Sequence, residues 1–317
     1  MPPHVLILGG AGFLGSHLAQ GFAQQGWRVT VIDGLLPNTG GQAGHVAGLA
    51  GVELIDRPIA EVADLSSRLD QAQLVIDAMA WTAHLLALEN PRYDLQLNAD
   101  SHLVLLQALR ASSLRRVIYL ASRGQYGSTA IDPLREDSPM EPNDIQGIHK
   151  LAAESYFRVM AGRAKLDVLS LRIPNCFGER QPTKGSDLGL IGSFIHDALQ
   201  GKTIEVFGNS RGRSVLYAGD LTDIVLRAAR LDSWKGFTPL NVPGHYVTIA
   251  DLARIIVRLA GRGQAVTKEM PAEIKSIDAG SARMDPTKLE QFLGTVSYAP
   301  LETTLERTIS WVRQHSS

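Results

Sequence analysis

HVLILGGAGFLGSHLAQGFAQQGWRVTVIDG, residues 4 to 34, decides the fold. An apolar run, Val5–Leu8, enters a glycine turn. A helical pattern follows from Gly12 to Gln25, and a second apolar run, Arg28–Asp33, closes the unit. Strand, glycine turn, helix, strand is the context in which G-x-x-G-x-x-G holds a dinucleotide. Gly9 permits the tight turn, Gly12 lets backbone approach a pyrophosphate, and Gly15 allows the helix to lie close on the strand. The helix N-terminus then offers N–H groups and positive dipole to the anion. Phe13 and Leu14 complete the turn and are expected beside the ligand. No Lys-Ser/Thr pair follows, so the loop is not of the NTPase kind. Asp33 stands 21 residues after Gly12 at the end of the second run. A carboxylate there is expected to accept from the adenosine ribose hydroxyls and to repel a 2′-phosphate, which favours NAD over NADP. Asp56 follows the third run; it is either an adenine contact or a plain loop residue. Ala80, ending the fourth, is expected to line the same site.

The rhythm continues outward. Val52–Ile55, Leu74–Ala80, Arg116–Ser122 and Asp167–Ile173 read as strands buried on both faces. Asp94–Ala111 and Gly147–Ala161 read as helices between them. This predicts an α/β fold, a doubly wound parallel Rossmann sheet over residues 1–174, completed by about 213–242. Residues 175–212 and 243–317 are expected to form a smaller, mostly helical substrate lobe. The patterns of the second half are a helix at Leu188–Gln200, strands at Thr203–Phe207 and Val215–Ala218, and a helix after the latter that Asp220 or Thr222 could cap. Helices follow at Ile249–Ala260, with Thr248 as cap and Gly261 as stop, and at Glu302–Gln314. Pro37–Gly51 is a Gly-rich loop, expected to be mobile near the adenosine end of the cofactor.

Composition narrows the function. The 317 residues carry a net charge of -1, which gives no electrostatic footprint for nucleic acid or an anionic membrane. No apolar stretch approaches the roughly 20 residues of a membrane span, and the N-terminus lacks the basic region of a signal peptide. The single cysteine, Cys176, suits a reducing compartment and reads as core filler. The nine histidines lack metal-ligand spacing, so no metal is expected. A cytoplasmic protein is expected.

A second constellation runs RVIYLASRGQYG (116–127), a Pro-containing loop (132–142), then QGIHKLAAE (146–154). With the glycine turn it resembles the extended short-chain dehydrogenase/reductases, the NDP-sugar epimerase/dehydratase family typified by UDP-galactose 4-epimerase. The resemblance covers nearly the whole chain. Ser122 and Tyr126 match the family's Ser/Thr and its V-Y-G tyrosine. LRIPNCFGERQ matches at Arg172, Asn175 and Gly178, and Asn98 matches a common Asn. GNSRGRSVLYAGDL matches at Arg213, although Ser214 replaces the usual Asp. Arg283 sits where the family carries another phosphate-binding arginine. Lys150 matches the lysine of Y-x-x-x-K, but the residue in the tyrosine's register is Gln146.

The resemblance implies NAD as hydride carrier, a nucleotide-sugar substrate, a Ser122 hydrogen bond to a sugar hydroxyl, and Lys150 on the nicotinamide ribose. It implies that Arg213, Arg283 and Asn175 hold the substrate's diphosphate, and that two helices pair across a homodimer. The first of these carries Leu95, Leu97, Leu103, Leu105, Leu106 and Leu109. An amide cannot act as the family's general base. Proton transfer then falls to His149, three residues on along the same helix, to Tyr126, or to water. Family 4,6-dehydratases carry Asp-Glu after the Ser/Thr; Arg123 and Gly124 stand there instead, which argues against 4,6-dehydration. Arg123 is a candidate for holding an anionic group near the sugar. The reading is an NAD-dependent nucleotide-sugar epimerase or oxidoreductase with an atypical active site. Its alternative is a non-catalytic or regulatory binder of NAD and a sugar nucleotide.

Overall fold

The computed structural model describes residues 2–128, 131–164, 166–183, 188–207, 211–231, 234–269, 281 and 283–315. Seven strands build the central sheet: β1 (His4–Leu8), β2 (Arg28–Asp33), β3 (Val52–Asp56), β4 (Leu74–Asp77), β5 (Arg116–Ser122), β6 (Asp167–Ile173) and β10 (Phe237–Asn241). All pairings are parallel, in the order β10-β6-β5-β4-β1-β2-β3. The order reverses beside β1, and the crevice at the carboxyl ends there is where such sheets bind ligands.

Both faces are covered, which explains the unbroken apolar runs. Helices α1 (Phe13–Gln24) and α8 (Ala218–Ala229) cover one face, with Leu18, Phe22, Leu221 and Val225 in its core. Helices α2 (Leu65–Asp70), α5 (Ser101–Arg110) and α6 (Ile145–Ala164) cover the other, with Leu69, Leu105, Leu109 and Phe157. A third cluster lies in the remaining lobe, around α7 (Gly189–Leu199), α9 (Ile249–Ala260) and the helix Leu301–His315. The lobe also holds a three-stranded sheet, β11 (His245–Thr248), β9 (Gly212–Tyr217) and β7 (Asn175–Phe177), and a pair, β8 (Thr203–Phe207) with β12 (Gln264–Lys268). It is thus richer in strand than its sequence predicts, because these strands are short and several are half-exposed, which blurs their period.

Other expectations shift. The helix predicted over 94–111 begins earlier, as α4 (Pro91–Leu95), where Asn90 Oδ1 accepts from Tyr93 N at 3.2 Å. A wide π turn, Gln96–Asp100, then separates it from α5. Of its leucines, Leu105, Leu106 and Leu109 are in the core, whereas Leu95 and Leu103 face outward. The strand starting at Leu74 stops at Asp77, short of Ala80. Asp220 and Thr222 do not cap α8, which starts at Ala218; Asp220 accepts from Ala299 N and Thr222 Oγ1 bonds back to Ala218 O. The polar turn read at GNSRGR falls partly outside the described residues, at 208–210.

Candidate active site

The crevice at the reversal is a cleft enclosing about 230 Å³, walled by Gly9, Gly12, Phe13, Leu14 and Gly15 on one side and by Ala78, Met79 and Ala80 on another. The main chain turns at Gly9 with φ +68°, a left-handed conformation glycine adopts without strain. A Cβ on Gly15 would lie 2.1 Å from the Gly9 carbonyl oxygen, so helix and turn are packed backbone to backbone. Asp33 ends β2 in the cleft wall. Its Oδ2 accepts from Ala11 N and its Oδ1 from Leu35 N, both at 2.9 Å. Burial pushes its carboxyl up, and the two amides pull it back. Asp56 stays outside the cleft, exposed at the end of β3; Pro58, Ile59 and Ala60 form that wall instead. The loop after β2 is tied down. Trp81 Nε1 donates to Asn38 O at 2.9 Å, Tyr93 OH to Pro37 O at 3.2 Å, and Gln42 N to Ala11 O at 3.0 Å. Thr39, Gly40 and Gly41 thereby form part of the cleft wall together with Pro182.

The end of β5 and the start of α6 meet the segment that follows β4. Gln146 and Lys150, one turn apart on α6, are both buried and both reach the segment after β4. Gln146 Nε2 donates to Trp81 O at 2.6 Å; Lys150 Nζ donates to Met79 O at 3.1 Å and Leu120 O at 3.4 Å. Burial pulls the Lys150 ammonium down to about 8, against the charges of Asp77 and Asp94. Ser122 closes β5, where its Oγ accepts from Gly124 N at 3.0 Å in a capping box with Gln125.

His149 has a partner that sequence reasoning missed. Its Nδ1 lies 2.5 Å from Oδ1 of Asp94, which is wholly buried. The other Asp94 oxygen accepts from Asn98 Nδ2 at 2.9 Å. Asn98 also brackets Trp81, accepting from its N at 2.9 Å and donating to its O at 2.8 Å. A carboxylate partner on Nδ1 fixes the orientation of the imidazole ring. A second missed pair lies beside Lys150: His102 Nδ1 is 2.6 Å from Asp77 Oδ2, both fully buried. The first pair is hidden from local spacing because Asp94 lies 55 residues from His149, on a helix packed against α6.

Tyr126 stands apart from this corner. It is fully buried; its OH donates to Asn241 Oδ1 and accepts from Arg172 Nη1, each at 2.7 Å. Burial pushes its hydroxyl up to about 12. Arg172 is itself clamped by Glu154 through Nε at 3.0 Å and Nη2 at 2.6 Å. This geometry holds a core together and offers no proton to a substrate. Cys176 is likewise desolvated, its thiol pushed up to about 12.

Across the cleft, β9 carries Arg213, buried, with Nη1 donating to Gly212 O at 3.0 Å. The segment after 280 runs beside β9: Gly212 N donates to Ser281 Oγ, and Met284 N to Ser214 Oγ. Arg283 is exposed there, with its guanidinium 4.2 Å over the Tyr246 ring. Arg283 thus lies on the face of the small sheet that carries Ser214 and Tyr246, whereas Arg213, the alternate residue of β9, points to the other face. Asn175 begins β7, half-buried, paired in register with Val215. Arg123, in the turn after Ser122, is half-buried.

Residues 5–242 match the model of the NAD dependent epimerase/dehydratase family. A putative UDP-glucose 4-epimerase of Methanocaldococcus jannaschii is 26% identical over 98% of this chain and 99% of its own length. UDP-glucuronic acid decarboxylase 1 of Xenopus tropicalis is 28% identical over 98% of this chain and 72% of its own. Among solved structures, UDP-N-acetylglucosamine 4-epimerase from Methanobrevibacter ruminantium superposes with a TM-score of 0.87 at 24% identity, over 99% of both chains. The glycine cradle, the buried carboxylate of Asp33 and the length of the cleft fit the family's cofactor, NAD. On the match over three quarters of its length, the chain belongs to the NAD dependent epimerase/dehydratase family.

Proposed function

We propose that the chain is a nucleotide-sugar epimerase or oxidoreductase in which Gln146 stands in the place of the relatives' catalytic tyrosine and His149, oriented by Asp94, moves the proton. The observation that carries this reading is the His149–Asp94 pair at 2.5 Å, with Asp94 buried and its second oxygen held by Asn98. When bound, NAD supplies the hydride acceptor at its nicotinamide. Gly12 and the first turn of α1 hold its pyrophosphate and Asp33 its ribose. Lys150 bonds the nicotinamide ribose, and Ser122 orients a sugar hydroxyl. His149 Nε2 accepts the proton of the hydroxyl being oxidised. Asp94 holds the imidazole in place and stabilises its charged form, as a buried carboxylate does for a base it orients. Gln146, bound to Trp81 O, shapes the site without titrating. Arg213, Arg283 and Asn175 hold the diphosphate, since arginine forks match phosphate oxygens. Two copies of the chain pair through α4, α5 and α6. Among the described residues no helix is long and apolar enough to cross a membrane.

The test is a panel of UDP-, dTDP-, GDP- and CDP-sugars offered to the NAD-loaded protein, with products read by NMR. An isomerised or oxidised sugar is expected. His149→Phe should cost roughly 10²–10⁴-fold, with Asp94→Asn intermediate. Full activity in both variants would remove His149 from the chemistry. Tight binding with no product from any sugar would make the chain a binder.

A further inference from the structure

The proposed reaction leaves Arg123 without a role. It directly follows Ser122, in the turn Arg123–Tyr126. That turn abuts the start of α6: a Cβ on Gly147 would lie 2.8 Å from Gly124 O. Arg123 and Ser122 therefore lie beside the start of α6, which carries Gln146. The guanidinium is half-buried, and burial lowers its pKa. The nearest opposing charge is Asp144, which acts on it without an ion pair or a hydrogen bond. Both Asp144 oxygens are engaged elsewhere: Oδ1 accepts from Gly147 N at 2.6 Å, and Oδ2 lies 3.1 Å from His84 Nδ1. Among the described residues Arg123 has no hydrogen-bond or ion-pair partner. The contrast with Arg172 is direct. That arginine, fully buried, is clamped by Glu154 at two points. A desolvated guanidinium without an anion is costly, and a planar carboxylate is the group its fork fits.

We propose that Arg123 is a specificity site for a carboxylated sugar, so that the substrate is a nucleotide-linked hexuronic acid. This rests on the sugar-nucleotide reading above. The diphosphate is met by arginines of the other lobe, so an anion beside Ser122 belongs to the sugar itself. Arg123 makes a two-point, charge-assisted contact to the carboxylate and finds no equivalent partner on a neutral hexose.

The experiment is calorimetry on NAD-loaded protein with UDP-glucuronate and UDP-galacturonate against UDP-glucose and UDP-galactose. The uronates should bind about ten- to hundredfold more tightly, the range of a hydrogen-bonded charge pair. Arg123→Gln should erase that preference while leaving the neutral sugars' affinity and NAD binding unchanged; Arg123→Lys should keep part of it. The wild-type comparison stands even if a variant folds poorly. No preference in the wild type, or a preference that survives Arg123→Gln, overturns the proposal. If NAD binds and neither these four sugars nor their dTDP-, GDP- and CDP-linked counterparts do, the sugar-nucleotide reading itself fails, and this inference with it.

Discussion

Gly15→Ala and Gly12→Ala should separate the two jobs of the glycine turn. On Gly15 the new methyl would sit 2.1 Å from Gly9 O, 2.7 Å from Gly10 Cα and 2.9 Å from Gly9 C. All three are backbone atoms, so no side chain can swing aside. Restoring carbon contact to about 3.5 Å requires the helix to lift by roughly 1 Å. Overpacking of this kind costs about 1–3 kcal/mol, and alanine's better helix propensity returns at most about 1 kcal/mol. A net loss of about 1–2 kcal/mol corresponds to a melting temperature lower by roughly 2–6 °C for a chain of this size. Gly12 differs. Its φ of −74° is open to any residue, and its methyl would meet only Gly9 O, at 3.2 Å. It lines the cleft, however. Gly12→Ala should therefore melt close to wild type yet bind NAD at least about tenfold more weakly, because the methyl stands where the pyrophosphate must approach. Thermal melts of the cofactor-free protein and calorimetric NAD titrations read both. A Gly15→Ala protein as stable as wild type, or a Gly12→Ala protein with unchanged NAD affinity, would refute this account of the turn.

Asp33→Ala should weaken NAD and narrow its advantage over NADP; a wild type that binds NADP equally well would remove Asp33 from the ribose. Lys150 has a folded-state pKa of about 8 against an ordinary 10.5, so the native state resists protonation there. Its contribution to stability is full above pH 10.5 and is lost as pH falls through 8, by an amount on the order of 3 kcal/mol. Cofactor-free Lys150→Met should thus resist urea better than wild type at pH 7.5, with the gap closing toward pH 10.5; a pH-independent gap would contradict this. Leu95, Leu103, Ile148 and Val159 are 46, 37, 47 and 54% exposed on α4, α5 and α6. Light scattering should show a dimer at micromolar concentration, and Ile148→Glu with Val159→Glu should yield monomer; a wild-type monomer would leave that face unexplained.

The Rossmann half was legible because its signals are strong and local. Parallel strands buried on both faces print as apolar runs, and the turn after β1 admits only glycine at positions where backbone meets backbone. The lobe was less so: β7 has three residues and β11 four, too few for a period to emerge. At the site, the register of Gln146 against Lys150 could be read from spacing, and so could the candidacy of His149. Asp94 could not. It lies 55 residues from His149 and reaches the imidazole only through the packing of α4 against α6, which no propensity rule anticipates. The Asp77–His102 pair was hidden for the same reason of distance. Tyr126 shows the converse: its motif is conspicuous in the sequence, yet only packing reveals that Arg172 and Asn241 consume its hydroxyl.

These contacts close into a ring. The Trp81 carbonyl accepts from both Gln146 and Asn98, which fills its two lone pairs. Asn98 holds Asp94, Asp94 holds His149, and one turn of α6 returns to Gln146. Gln146 is therefore a structural member of the relay that places His149. An amide suits that post because it donates at any pH, whereas a phenol serving as a base would surrender its proton and with it the bond to Trp81. The Trp81 indole meanwhile fastens the loop over the adenosine end through Asn38. The same residue thus anchors the wall of the cofactor cleft and the ring that orients the base. Under the proposed reading, this ring is the rigid mounting that an imidazole base at position 149 requires.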